Sequence, residues 1–280
     1  EWRSRNSGMQ RIMTNALPTM YPDSKYADCM PIGSLDVINN FPYQDIRDYY
    51  AKWYRPDLQG IMIVGDINVD EMEAKLKKVF ADVKAPVHPA NRIYYPVADN
   101  QEPLIFIGTD KEIETPSISF FFKSEAFPDS LKNTINYYGI QYMLSMGISM
   151  LNSRLAEIRQ QADPPFTGAS AGYGDFFVAK TKSAFGIDAS SKIGGIELAM
   201  KTILEEAERA RRFGFTETEY DRARANYLQR VESAYNEREK MKNDTYVNEY
   251  ISNFLDNEPM PGIEYEYAMM NKLAPNIPVT

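Results

Sequence analysis

Apolar side chains fall at helical spacing through residues 42–54: Ile46, Tyr49, Tyr50, Trp53 and Tyr54 sit at i, i+3, i+4, i+7 and i+8, a broad stripe for one helix face. Pro42 suits the first helical position, where its missing N–H costs nothing, and Pro56 stops the helix. Each large side chain buried on such a stripe contributes roughly 1.5–3 kcal/mol. Next comes the continuous apolar run Gly60 to Gly65 (GIMIVG), which predicts a strand covered on both faces. Asp66 and Asn68 turn the chain, and Asn68 with Glu71 reads as a capping box for a helix whose inner face is Val69, Met72, Leu76, Val79 and Phe80. Upstream, residues 1–17 place Trp2, Met9, Ile12, Met13 and Ala16 near one helical face, ended by Pro18 and Pro22. Residues 18–40 read as an irregular loop.

Periodicity fades over residues 82–102, which hold Pro86, Pro89 and Pro96, and restarts with strands at 103–109 (PLIFIGT) and 117–123 (SISFFFK). A long helix is predicted from about Ser130 to Gln161, broken by Pro164 and Pro165. Two strands follow, near 166–177 and 182–190; the first contains Gly168, Gly172 and Gly174, which suits a bend or a close backbone approach. Helices then run over 193–212, from Thr216 to about Lys242, over 244–256 and over 260–273. Gly214 is placed to end the first of these, and Thr216 with Glu219 forms a second capping box. Strand–strand neighbours backed by helices argue an α+β fold, with helices packed on mostly antiparallel sheets.

Charge narrows the range of partners. The 280 residues carry a formal net charge of −8, which argues against a nucleic-acid backbone or an anionic membrane surface. Cys29 is the only cysteine, so no internal disulfide or thiolate cluster forms. The uncharged stretch Asn133–Ser153 has the length of a membrane span, but Asn136, Gln141, Asn152 and several Ser favour a core helix over a span. The start, Glu1-Trp2-Arg3, shows no signal peptide and is expected to be the opening of a piece of something longer.

The order Pro31-x-Gly33, helix, Tyr54-Arg55-Pro56, Val64-Gly65-Asp66, helix, Phe80 resembles the insulinase/pitrilysin (M16) zinc peptidases. Ser153-Arg154-Leu155 with Arg159 is similar to that family's S-R-L-x-x-x-x-R helix, and Gly214-Phe215-Thr216 with Glu219 and Ala223 to its G-x-T-x-x-E-x-x-x-A segment. The resemblance implies two homologous M16-type domain units, both incomplete. Residues 1–90 would be the C-terminal part of a first, catalytic-type domain, 91–102 a linker, and 103–280 a second domain of inactive type. Two such halves would close on a chamber for a peptide or unfolded segment. The implied partners are that substrate, the missing catalytic segment and a second M16 half, with no nucleic acid and no membrane span. The compartment stays open, with a periplasmic or other extracytoplasmic location leaned to.

The family's zinc is held by an H-x-x-E-H helix and a downstream Glu. Two His four apart share one helix face, and the intervening Glu activates the metal-bound water. With one histidine, His88, this sequence lacks that motif, and the fragment by itself is expected to be inactive. The resemblance makes Glu1 the candidate third zinc ligand; the other reading is an ordinary exposed glutamate. His88, between Val87 and Pro89, has no partners at metal spacing and reads as a solvated linker residue. Arg159 and Phe166 stand where some family members hold an Arg and a Tyr that bind substrate. Arg159 is therefore the candidate substrate contact, with a surface or structural role as its alternative, and Phe166 lacks the hydroxyl. The implied function is part of a zinc-dependent endopeptidase; the alternative is a non-catalytic homologue serving as scaffold or interaction subunit.

Overall fold

A computed structural model describes residues 7–28 and 33–279. The chain divides into two compact units, each built from separated segments. Unit 1 takes residues up to 32, Tyr94–Ser233 and Glu264 onward; unit 2 takes Gly33–Ile93 and Ala234–Ile263.

Unit 1 holds the only β-sheet among the described residues. It has three strands, β1 (Ser117–Glu125), β2 (Gly168–Phe176) and β3 (Ala179–Ser190), in the order β1-β3-β2 with both pairings antiparallel. The register sets Phe120 opposite Ile187 in one ladder and Ala171 opposite Ile187 in the other. Strand alternation then puts Ile118, Phe120, Phe185, Ile187 and Ala189 on one face. Helices α6 (Ile135–Arg159) and α7 (Ile196–Phe213) cover that face through Leu151, Leu155, Ala199 and Ile203, with Phe166 sealed among them. The opposite face carries a smaller cluster, where Phe176, Ala179 and Ala184 meet Leu17, Tyr21 and Val97. A third cluster joins α6 to α8 (Glu217–Glu237) and α10 (Ile263–Leu273) through Tyr142, Met146, Tyr220, Ala223 and Met270. From Ile135 on, the uncharged stretch forms the first part of core helix α6, and no helix among the described residues is long and apolar enough to cross a membrane.

Helix α1 (Gly8–Met20) starts on Ser7, whose hydroxyl accepts from the Gln10 amide, and runs through Pro18 rather than stopping there. Proline removes a single rung of the ladder, and the residue that caps the helix after Met20, Tyr21, is fully buried. Its hydroxyl donates to the Phe176 carbonyl and accepts from the Val178 amide, pinning the β2–β3 turn. At the other end Arg11 pairs with Asp110 at 2.7 Å and Glu112 at 3.0 Å.

Unit 2 contains α2 (Leu35–Asn40), α3 (Tyr43–Trp53), α4 (Val69–Val79) and α9 (Asn243–Asp256). Asn68 caps α4 as expected, accepting from the Glu71 amide. Short α5 (Asp129–Lys132) precedes α6 in unit 1.

Two predicted strands are absent. Residues 60–65 and 103–109 are irregular, with Ile61 55%, Ile105 76% and Ile107 86% exposed. A lone apolar run supplies one row of N–H and C=O groups, and a ladder needs a second row beside it. The apolar stripe on α3 is likewise exposed: Ile46 58%, Tyr49 61%, Tyr50 61% and Tyr54 59%.

Candidate functional site

The two stretches of unit 1 that carry the richest polar chemistry are far apart in sequence and meet between α6 and α8. Leu151 and Leu155 tie α6 to the sheet, and Arg154, between them, is thereby turned toward α8. Its Nε donates to Glu219 Oε1 at 2.5 Å and its Nη2 to Glu219 Oε2 at 2.9 Å. That fork-on-fork geometry is the strong form of the pair. Nη2 also donates to the Gly214 carbonyl at 3.2 Å, and the guanidinium lies 4.6 Å over the Phe215 ring.

Glu219 serves two purposes at once. Its Oε2 accepts from the Thr216 amide at 2.7 Å and hydroxyl at 2.9 Å, while Thr216 Oγ1 accepts from the Glu219 amide. This is the reciprocal capping box read from the sequence. The Arg154 hydrogen bond, then those from Thr216, hold the Glu219 carboxyl at a pKa of about 2. Arg154 is shifted upward by the Glu219 hydrogen bond, with Glu206 and Glu157 adding to the field. Gly214 stands at φ 66 and ψ −149 between α7 and the capping box, a conformation open essentially to glycine alone.

A cleft of about 240 Å³ opens beside this pair, lined by Ser149, Ser153, Glu157, Arg222 and Asn226. Chemically the arrangement is a clamp. The carboxylate is held ionised by the fork, and no nucleophile is paired with a base there.

A second polar device lies at the sheet edge. The Asn152 side-chain amide donates to the Ala171 carbonyl at 2.9 Å and accepts from the Ala171 amide at 2.8 Å. On the far side of the sheet end, Lys182 bonds Asp99 at 2.9 Å and also pairs with Glu125.

Among the described residues, Arg159, Phe166 and His88 do not come together in one site. Glu1, the candidate zinc ligand, lies outside the described residues. Arg159 ends α6 on the exposed surface, while Phe166 is 1% exposed inside the core. The two therefore present no shared face to a ligand. His88 is exposed, at φ 56. Among the described residues no three His, Cys, Asp or Glu side chains are grouped to hold a metal ion, so those residues do not fit a resident zinc. Sequence reasoning missed the Arg154–Glu219 fork and the Asn152 bridge. Both partners of the fork stood inside quoted motifs, but nothing along the chain signals that they touch. Asn152, an uncharged residue in the middle of a long apolar helix, was the available hint for the second.

Comparison with known proteins places these motifs. Residues 40–227 match the family described as the Peptidase M16 inactive domain. A "Zinc protease PQQL-like" protein of Arabidopsis thaliana is 28% identical over 99% of this chain, which covers 26% of that protein. The "Probable zinc protease PqqL" of Escherichia coli is 22% identical over the whole chain, covering 29% of it. The crystal structure of the first half of the periplasmic protease PqqL from Escherichia coli superposes with a TM-score of 0.84 at 20% identity, over 99% of this chain and 58% of that one. The chain thus spans between a quarter and a third of the length of these two curated relatives.

Proposed function

The chain belongs to the M16 peptidase family through its match to the inactive domain, and from that premise we propose that it is a non-catalytic part of a larger zinc-dependent endopeptidase. It supplies chamber wall and scaffold, and the zinc is held by residues of the longer protein. Relatives named as zinc proteases support the parent activity. The match to the inactive rather than the catalytic domain is the observation that carries the assignment of roles. In this reading residues 1–90 complete a catalytic-type domain, 91–102 link, and 103–280 form the inactive one.

The unpartnered apolar surface of unit 2 supports a missing neighbour. Ile46, Tyr49 and Tyr50 on α3 and Tyr54 at its C-cap, with Ile61 and Ile63 beyond it, are 40–61% exposed. Large apolar patches on a folded surface mark contacts not yet made. The catalytic segment of the same protein is the proposed cover. The substrate is a peptide or unfolded segment, and Arg159, exposed at the end of α6, is free to meet it. An extracytoplasmic location follows by extension from the relative described as a periplasmic protease.

The test compares this chain with the longer protein. Metal analysis and a quenched-fluorescence peptide assay should find zinc and hydrolysis in the longer protein and neither in the chain alone. Glu1→Gln in the longer protein should strip the zinc. A zinc-free, inactive longer protein would instead make this a scaffold or interaction subunit.

A further inference from the structure

The order β1-β3-β2 leaves β2 at an edge, with no strand on its outer side among the described residues. An open edge is a template for another strand, and folded proteins block it by recognisable devices. Residues 168–174 of β2 (GASAGYG) themselves carry neither of the two commonest ones, charge and proline, and a Cβ added to Gly168, Gly172 or Gly174 would meet nothing within 4 Å. That open space lies over the faces of the strand; along its outer edge the cover is helix α6, which reaches the backbone through Asn152.

The direction of the backbone groups follows from the hydrogen bonds. Ala171 N–H and C=O both go to Asn152, so they point away from β3. Alternation along an antiparallel strand makes the groups of Ala169 and Tyr173 point the same way. Three outward pairs therefore line the edge, and the middle pair is taken by a side-chain amide. An asparagine amide offers one donor and one acceptor with the geometry of a peptide group. Asn152 thus stands where the central residue of a neighbouring strand would stand.

The edge is also self-complementary. Laid antiparallel against a copy of itself about Ala171, Ala171 faces Ala171, Ala169 faces Tyr173, and Gly168 faces Gly174. The nearest charge, Asp175, falls opposite Thr167, so no like charges meet. We propose that Asn152 is an edge plug that closes β2 against pairing with a second copy of this chain. The inference does not depend on the peptidase reading.

The experiment replaces the plug and then blocks the edge by another route. Asn152→Ala is expected to raise the association constant of the chain in sedimentation velocity by roughly tenfold or more over the unsubstituted protein, a factor worth about 1.4 kcal/mol. Amide exchange at Ala169 and Tyr173 should become slower as concentration rises. Adding Ala169→Pro removes an outward N–H without costing a ladder bond to β3, and should return the double variant to the unsubstituted association constant. The exposed α3 stripe is the same in every variant, so its own stickiness cancels. Should Asn152→Ala associate no more than the parent, or should Ala169→Pro fail to reverse the association, the plug is refuted. A fall in melting temperature alone would assign Asn152 a purely structural role, which also overturns the proposal. If Asn152→Ala does not fold, Asn152→Ser serves. Its short hydroxyl cannot hold both Ala171 backbone groups at once and adds no charge, and it should show the same concentration-dependent exchange at Ala169.

Discussion

Removing one buried hydroxyl should measure how firmly α1 is fastened to the sheet. Tyr21 is 0% exposed, and its ring packs 5.1 Å from Phe176 and 5.5 Å from Tyr26. The Tyr21→Phe change keeps those ring contacts and deletes only the oxygen. Two backbone groups then lose their partner: the Phe176 carbonyl, on a residue 4% exposed, and the Val178 amide, on a residue 40% exposed. Water can replace the second but not the first. Two ordinary hydrogen bonds at about 0.5–1.5 kcal/mol each, with one group left dry and the other rehydrated, give a loss of about 1–3 kcal/mol. Urea unfolding of the full chain, at unchanged slope, would read this as a lower midpoint. Exchange at the Val178 amide should accelerate more than exchange at Ile187. Tyr26→Phe is the matched control, because the Tyr26 ring packs beside Tyr21 and its hydroxyl makes no hydrogen bond among the described residues. Equal midpoints for the two variants would refute the idea that the hydroxyl, rather than the ring, fastens the hairpin.

Glu219 predicts an acid dependence. Its folded pKa of about 2 lies below the ordinary value of 4.5, so its stabilisation is full above pH 4.5 and is lost as pH falls toward 2. Glu219→Gln should flatten that limb of the stability–pH curve in circular dichroism melts. At neutral pH it should cost about 1–3 kcal/mol, below the figure for a fully buried pair because the fork is partly solvated. Tyr142 predicts the opposite limb. Burial, then its hydrogen bond with Tyr220, raises its pKa, so its contribution is full below pH 10 and falls as pH climbs beyond it; Tyr142→Phe should weaken that alkaline loss in the same melts. Gly214→Ala should cost about 1–3 kcal/mol, since φ 66 with ψ −149 is closed to side chains. Gly214→Asn should be no milder, because asparagine eases only the left-handed helical region; a mild asparagine variant would show that the backbone relaxes there.

What could be read along the chain was local. Thr216 and Glu219 are three residues apart, and the capping box follows from spacing alone. The Asn68 cap, the three strands of the sheet and the long α6 were legible for the same reason: period and capping act over a few residues. The fork was not. Arg154 reaches Glu219 across 65 positions, and only the packing of α6 on the sheet turns it that way. Tyr21 likewise reads as one more aromatic until it is found 155 positions from its acceptor. Arg159 and Phe166 part, one to the surface and one to the core, for a physical reason as well. A residue just before a strand faces either the core or the solvent, and Phe166, without a hydroxyl, gains more from the core between Leu155 and Ile187.

The two strands that failed to form, at 60–65 and 103–109, bear differently on how far this chain can be read by itself. Hydrophobic pattern records the environment a segment meets in the complete protein, whereas secondary structure requires that environment to be present. A helix satisfies its backbone internally, so α3 forms with Tyr49 and Tyr50 61% exposed. A strand cannot do so, and GIMIVG remains irregular although its composition is the most strand-like in unit 2. The contrast explains why one segment was predicted correctly in form and wrongly in burial, and the next wrongly in both. On the proposal that the chain belongs to a longer protein, it also says what that protein should show. Residues 60–65 should gain slow amide exchange at alternate positions as a neighbouring strand arrives, while α3 should keep its helical exchange pattern and lose only its exposed stripe. If residues 60–65 in the longer protein exchange as fast as in this chain, the apolar run serves some purpose other than pairing, and the case for a missing neighbour then rests on α3 alone.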